Sequence, residues 1–147
     1  MFRSILVGVD GSETARAALR RAARLADSTG AELHVVCAYQ NATVAALTPL
    51  GGAVVASDSV GDALHQAAEE LLSEVIKELG VDSLKVGTHA IEGEASDVLI
   101  DAADEFDCDL IVVGNRGMRG GKRLLLGSVP NRVAHHAGRD VLIVQTS

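Results

Sequence analysis

A glycine-rich segment in the last third of the chain contains the residues best suited to chemistry. It reads Gly114-x2-Gly117-x9-Gly127-Ser128 and follows a continuous apolar run at 110–113. Glycine lets successive backbone amides approach an anion closely and point into one concavity. A serine that opens a helix adds free N–H groups, the positive end of the helix dipole and a hydroxyl. The spacing predicts a phosphate-binding loop, and a glycine-rich turn with a capping serine is the alternative interpretation.

The charge distribution favours a small anionic ligand at this segment. The chain has 20 acidic and 13 basic residues, for a net charge of −7. This balance disfavours a nucleic-acid partner, because affinity for nucleic acids depends on cations that neutralise phosphates. Residues 110–139 nevertheless contain no acidic residue, and they hold a local group of cations: Arg116, Arg119, Lys122, Arg123, Arg132 and Arg139. Cations on and near the loop suit phosphate oxygens, which accept charge-assisted hydrogen bonds.

The sequence does not contain the familiar motifs for binding phosphates or dinucleotide cofactors. A Walker loop requires serine or threonine after the Gly-Lys pair that ends at Lys122, and this chain has Arg123 there. The dinucleotide fingerprint GxGxxG fails around both Gly8 and Gly114. No GxSxG sequence occurs, which removes the usual nucleophile of α/β-hydrolases. A nicotinamide cofactor and the chemistry of an α/β-hydrolase are therefore not expected.

A second candidate segment, Asp10-Gly11-Ser12, ends the first apolar run. Ligands of open parallel sheets bind beyond the carboxyl ends of the strands, where the strand order reverses. At such a position Asp10 could hold a Mg²⁺ ion that accompanies a phosphate ligand, because this ion takes one or two carboxylates together with phosphate oxygens. Capping the following turn is the alternative role. The histidines lack ligand spacing, so no metal site built by the protein alone is expected.

The elements that must position these segments alternate along the chain. Apolar runs of strand length followed by segments of helical period are typical of βαβ units and a parallel sheet. Strands are predicted at 5–9, 32–39, 83–90, 110–113 and 141–144. Helices are predicted from the N-cap Ser12 to near Gly30, and at 60–79, 95–106 and 128–136. Residues 40–59 follow neither period and are interpreted as a loop, either functional or disordered.

Size and composition indicate one cytoplasmic domain over residues 1–147. A chain of this length buries enough surface for a complete core. Cys37 and Cys108 lie far apart without CxxC spacing, which favours buried, reduced thiols over a disulfide or a zinc site. No apolar stretch approaches the ~20 residues that span a bilayer, and the leader pattern of secreted proteins is not evident.

The whole pattern resembles the universal stress protein family. The resemblance covers essentially the entire chain and includes the opening Ile5-Leu6-Val7-Gly8-Val9-Asp10-Gly11-Ser12, the element order and the complete G-x2-G-x9-G-[ST] signature. That signature resembles the one found in the family's ATP-binding members. The resemblance implies a flavodoxin-like α/β fold, with a five-stranded parallel sheet ordered 3-2-1-4-5 and helices on both faces. It also implies a homodimer that pairs through the last strand.

The resemblance also assigns contacts to individual positions. Adenine contacts fall on Gly8, Val9 and Ala38. Phosphate and ribose contacts fall on Asp10, Val113, Gly114, Arg116, Gly117, Gly127, Ser128 and Val129. Three positions depart from the family pattern: Ala15 replaces a frequent serine, Asn115 replaces a common serine, and Pro130 replaces a common serine or threonine.

Pro130 bears on the identity of the ligand. Proline suits a first helical turn but removes a hydroxyl and an amide near the phosphates. Some relatives with a similar Gly-Ser-Val-Pro segment prefer cyclic AMP, so that ligand stays open beside ATP. The resemblance implies an ATP-binding sensor or signalling module with little turnover, since no general base is evident near the loop. A slow ATPase or self-phosphorylating enzyme, with Ser128 or Ser12 as acceptor, is the alternative.

Overall fold

The computed structural model describes residues 1–40, 57–116 and 127–146. Within these ranges, strands and helices alternate from the first strand to the last. The strands are β1 (Ser4–Gly8), β2 (Glu32–Tyr39), β3 (Val86–Glu92), β4 (Leu110–Gly114) and β5 (Asp140–Val144). The helices are α1 (Glu13–Thr29), α2 (Ser57–Leu79), α3 (Ala95–Glu105) and α4 (Ser128–His136).

All five strands are parallel and lie in the order β3-β2-β1-β4-β5, which confirms the predicted fold class. The chain builds the sheet outward from β1 to β3, and then returns to the other side of β1 to add β4. Ile5 of β1 therefore pairs with Leu110 of β4, although the two residues are far apart in sequence. The carboxyl ends of β1 and β4 form the switch point of the sheet, where ligands of this architecture bind.

Alternating side chains of the strands build a core on each face of the sheet. Ile5 and Val7 point toward α1 and α2, whereas Leu6 between them points toward α3 and α4. Helix α1 buries a stripe of small residues against the sheet, and two of them, Ala18 and Ala22, are fully buried. Small side chains let α1 approach the strands closely, which brings its first turn next to the end of β4.

Helix signals in the sequence correspond to observed caps. The hydroxyl of Ser12 accepts a hydrogen bond from the Ala15 amide, so Ser12 is the N-cap of α1 as predicted. Gly30 ends the same helix in the left-handed conformation, with φ of 72°. Cys37 and Cys108 are buried free thiols, also as predicted. Burial raises the pKa of both thiols, which makes them poor nucleophiles.

Two predicted starts were wrong by three residues, whereas the other boundaries differ by at most two. Strand β3 begins at Val86 instead of residue 83, because residues 82 and 83 form a turn. Aspartate and serine favour turns, and the apolar alternation alone does not locate the first residue that pairs with β2. Helix α2 begins at residue 57 instead of 60, ahead of its apolar period. Most of the predicted loop 40–59 lies outside the described residues. In the part of the chain that is described, no helix is both long and apolar enough to span a membrane.

Candidate functional site

An open cleft lies at the carboxyl edge of the sheet, between the ends of β1 and β4. It encloses about 520 Å³, counting the solvent at its mouth. Most of the contact residues assigned from the sequence line it: Gly8, Val9, Asp10, Ala38, Val113, Gly114, Arg116 and Val129. These residues come from three strands, the segments that follow β1 and β4, and the start of α4. The parallel sheet brings them together because the ends of its strands share one edge.

The remaining assigned residues either lie beside the cleft or fall outside the described residues. Gly127 is the N-cap of α4 and Ser128 is its first residue. The Gly127 amide donates a hydrogen bond to the Asn115 carbonyl over 2.9 Å, which holds the start of α4 next to the end of β4. Gly117 lies outside the described residues, as do Arg119, Lys122 and Arg123.

Sequence reasoning missed three apolar residues that line the cleft, namely Val36, Ala95 and Leu99, and it noted Ala15 and Pro130 only as departures from the family pattern. Leu99 of α3 lies directly against Gly8, and a Cβ atom on Gly8 would come within 2.9 Å of Leu99 Cδ1. The apolar period of α3 predicts that Leu99 is buried. It does not indicate that this residue lies under the end of β1.

Gly114 has a structural role that the sequence did not reveal. A Cβ atom there would lie 2.4 Å from Thr14 Cγ2 and 3.0 Å from the Thr14 carbonyl oxygen. Neither Gly114 nor Gly127 has a positive φ, so left-handed backbone does not explain the described glycines of the loop. Gly114 is required because the first turn of α1 packs directly on the end of β4.

Asp10 caps the turn that leads into α1. Its Oδ1 atom accepts a hydrogen bond from the Ser12 amide over 2.9 Å, which is the alternative role that the sequence left open. The carboxylate also lines the cleft. Coordination of Mg²⁺ by Asp10 stays a prediction.

The helix ends near the cleft differ in how their amides are satisfied. Ser12 caps α1, and the carboxylate of Glu94 caps α3 by accepting from the amides of Ser96 and Asp97. Burial alone would raise the pKa of Glu94, but hydrogen bonds from Ser96 and Asp97, with Arg132 nearby, outweigh it and lower that pKa. Among the described N-caps, only Gly127 of α4 offers no side-chain acceptor. The dipole of α4 therefore favours an anion at its N-terminus.

The cations of the 110–139 segment divide by role. Arg116 lines the cleft. Arg132 instead pairs with Glu94 at 3.4 Å and with Asp97 at 3.6 Å, which ties α4 to the start of α3. Arg139 pairs with Asp104 and donates to the carbonyls of Ala103 and Cys108. Part of the local positive charge is thus used for packing between elements.

The sheet order and the cleft at its switch point define a flavodoxin-like α/β protein. The model of the universal stress protein family matches residues 1–145. A universal stress protein of Mycobacterium tuberculosis strain H37Rv is 34% identical, over 99% of this chain and 98% of its own. The chain belongs to the universal stress protein family.

Two similar solved structures contain nucleotides. A universal stress protein in complex with cAMP superposes with a TM-score of 0.67 at 31% identity, covering 99% of this chain and 98% of that protein. The universal stress protein of Archaeoglobus fulgidus in complex with dAMP has a TM-score of 0.60 at 26% identity, covering 96% of each chain.

Proposed function

We propose that this protein binds an adenine nucleotide in the cleft between β1 and β4, and acts as a nucleotide-dependent sensor or signalling module in the stress response. The observation that carries the proposal is the division of one cleft into an apolar end and an anion-favouring end. An adenine nucleotide has the same division between its base and its phosphates. The complexes of related proteins with cAMP and dAMP support this assignment.

The apolar end suits a planar base. Ala38 of β2 and Leu99 of α3 provide apolar surface, and the absence of a side chain on Gly8 leaves room for Leu99 at the end of β1. Backbone N–H and C=O groups at strand ends can recognise the polar edge of adenine in such a pocket. We assign the adenine contacts to Gly8, Val9 and Ala38.

The opposite end suits phosphate. Gly127 and Ser128 present the N-terminal amides of α4, and Arg116, whose Cα lies 3.4 Å from the Cβ position of Gly127, lines the cleft beside them. We assign Val113, Gly114, Gly117 and Val129 to the ribose and phosphates as well. Asp10 then lies where a carboxylate can hold the Mg²⁺ of bound ATP.

ATP is the first candidate ligand, and cAMP is the second. The cAMP complex of a 31% identical relative favours the cyclic nucleotide specifically. Pro130 lines the cleft without an amide donor, which reduces the number of phosphate oxygens that α4 can satisfy. Competition between ATP and cAMP on one preparation decides the preference, and identification of the nucleotide that co-purifies gives an independent answer.

Calorimetric titration of ATP, with and without Mg²⁺, and of cAMP tests the site. We expect Ala38→Phe to abolish binding by filling the apolar end. We expect Arg116→Gln to weaken binding about tenfold, the usual loss for one charged hydrogen bond. Arg132→Gln is the matched control, because its guanidinium pairs with α3 outside the cleft. Failure of the unmodified protein to bind either nucleotide, or unchanged affinity in Ala38→Phe, would contradict the proposal.

We also propose that the protein forms a homodimer through β5. In the described sheet β5 is an edge strand, and its half-buried residues Val141, Leu142 and Ile143 give that edge an apolar character. An edge of this kind pairs readily with a second copy.

A further inference from the structure

Asn115 lies where several parts of the cleft meet. It directly follows β4 and is only 4% exposed. Its amide donates to the Val144 carbonyl of β5 over 3.0 Å, and its own carbonyl accepts from the Gly127 amide over 2.9 Å. The backbone of this one residue therefore joins the end of β5 to the start of α4.

The side chain of Asn115 extends this connection to the residues after β5. Its Oδ1 atom accepts two hydrogen bonds from Thr146, one from the backbone amide at 3.2 Å and one from the hydroxyl at 3.0 Å. The Thr146 hydroxyl also lies 3.1 Å from the Thr14 hydroxyl in the first turn of α1. Since Thr146 donates its hydroxyl proton to Asn115, it accepts from Thr14. The bonds thus run in one direction, from Thr14 through Thr146 to Asn115.

This group lies next to Gly114 and Arg116, which line the cleft. Thr14 packs on Gly114, Arg116 follows Asn115 in the chain, and Gly127 bonds to the Asn115 carbonyl. A shift of Thr146 would leave the buried Asn115 Oδ1 without its two donors, and an unpaired buried oxygen is unfavourable. The predicted phosphate-binding segment, 114–128, is described at its two ends, 114–116 and 127–128. The positions of these two ends are therefore linked to Thr146, which follows β5.

We propose that Thr14, Asn115 and Thr146 form a latch that positions the ends of the phosphate-binding segment for nucleotide, so that nucleotide affinity depends on residue 146. The latch residues are positioning residues, and the inference rests on the proposed function. Coupling between two sites is reciprocal. Bound nucleotide must therefore hold Thr146 more firmly in place.

The test is calorimetry with ATP and with cAMP on latch variants. Thr146→Val keeps the shape of the side chain but removes the hydroxyl, and Asn115→Ala removes the acceptor while keeping both backbone bonds. We expect each variant to lose about tenfold in affinity for the nucleotide that the unmodified protein binds. The double variant should lose little more than the worse single variant, because the two residues act through one set of bonds.

Two controls separate positioning from general stability. Thr146→Ser keeps the hydroxyl and should restore most of the affinity. Thr29→Val removes a similar hydroxyl, which donates to the Leu25 carbonyl at the end of α1, and should leave affinity unchanged. Urea unfolding without nucleotide shows whether each variant is folded.

Hydrogen exchange provides a readout that does not depend on affinity. Saturating nucleotide should slow exchange of the Thr146 amide in the unmodified protein and not in Asn115→Ala. Wild-type affinity in Thr146→Val, or a Thr146 amide whose exchange ignores nucleotide, overturns the latch while leaving the proposed function intact. An unmodified protein that binds neither ATP nor cAMP overturns both.

Discussion

At the scale of single residues, two separate reasons favour glycine at position 114. It belongs to the glycine pattern that predicts close approach of the backbone to a phosphate. It also has no room for a side chain, because Thr14 lies over it at the start of α1. Gly127, the other described glycine of the pattern, is different: a Cβ atom there would make only ordinary contacts, the nearest at 3.4 Å.

We therefore expect Gly114→Ala to lower the free energy of unfolding by about 1–3 kcal/mol, the usual range for forcing extra volume into a packed site. Gly127→Ala is the matched control and should change this free energy little. Adding Thr14→Ser to Gly114→Ala should restore part of the loss, since it removes Cγ2 but leaves the carbonyl oxygen. Urea denaturation measures all of these variants. Equal stability of the two alanine variants would show that the close contact is unimportant.

At the scale of elements, an aromatic cluster packs the end of α3 against β2 and β3. His34 of β2, His89 of β3 and Phe106 stack on one another, with ring centroids 4.1 Å apart for His89 and Phe106 and 4.8 Å apart for His34 and Phe106. One histidine nitrogen donates to the other over 3.1 Å. Gly87 leaves space for both rings, since a Cβ atom there would lie 3.2 Å from His89 Nε2 and 3.3 Å from His34 Nδ1.

The cluster makes stability depend on pH. Burial lowers the pKa of His34 and His89, with only partial opposition from Glu32 at His34 and from Glu105 at His89. The unfolded chain, with histidine pKa near ~6.5, therefore binds more protons than the folded protein. The free energy of unfolding should be highest above that pH and should fall as the pH drops toward the lowered folded values.

Urea unfolding at several pH values between neutral and mildly acidic measures this slope. His89→Gln removes one titrating ring and should flatten the dependence. His136→Gln, at an exposed position on α4, is the control and should keep the original slope. Identical slopes in the unmodified protein and in His89→Gln would contradict the assignment to this cluster.

At the scale of the whole molecule, the backbone N–H and C=O groups that face outward can be assigned to particular residues at each edge of the described sheet. The Val144 carbonyl accepts from Asn115 and so faces β4, which leaves the polar groups of Ile143 directed outward from β5. On β3 the Lys85 carbonyl accepts from Leu33, so the polar groups of Thr88 point outward at the opposite edge. Proline at either outward position removes one N–H that takes no part in the described sheet.

If the protein dimerises through β5, Ile143→Pro should produce a monomer, and Thr88→Pro should not. Both substitutions remove an outward N–H from an edge strand, so they are matched in backbone chemistry. Sedimentation velocity measures the oligomeric state, and circular dichroism checks that both variants are folded. A dimer that survives Ile143→Pro and dissociates with Thr88→Pro would place the interface on β3.

Local signals in the sequence determined the elements and the type of fold. Ser12 and Gly30 mark the two ends of α1, because they cap the helix through interactions with neighbouring residues only. The alternation of apolar runs and helical periods was sufficient for the parallel sheet, because each period buries one face of its own element. The start of β3 was predicted wrongly, since pairing of Val86 with Leu33 depends on a partner strand that local pattern does not specify.

The residues of the candidate site divide in the same way. Asp10 and Gly114 were found from sequence because each follows a predicted apolar strand, and parallel strands bring their carboxyl ends to one edge. Gly8 was assigned only through the family resemblance. Only the tertiary structure placed Leu99 under Gly8, joined His34 to His89, and bonded Asn115 to Thr146. These contacts link residues far apart in the chain, and they depend on how the helices pack on the sheet, which no local pattern encodes.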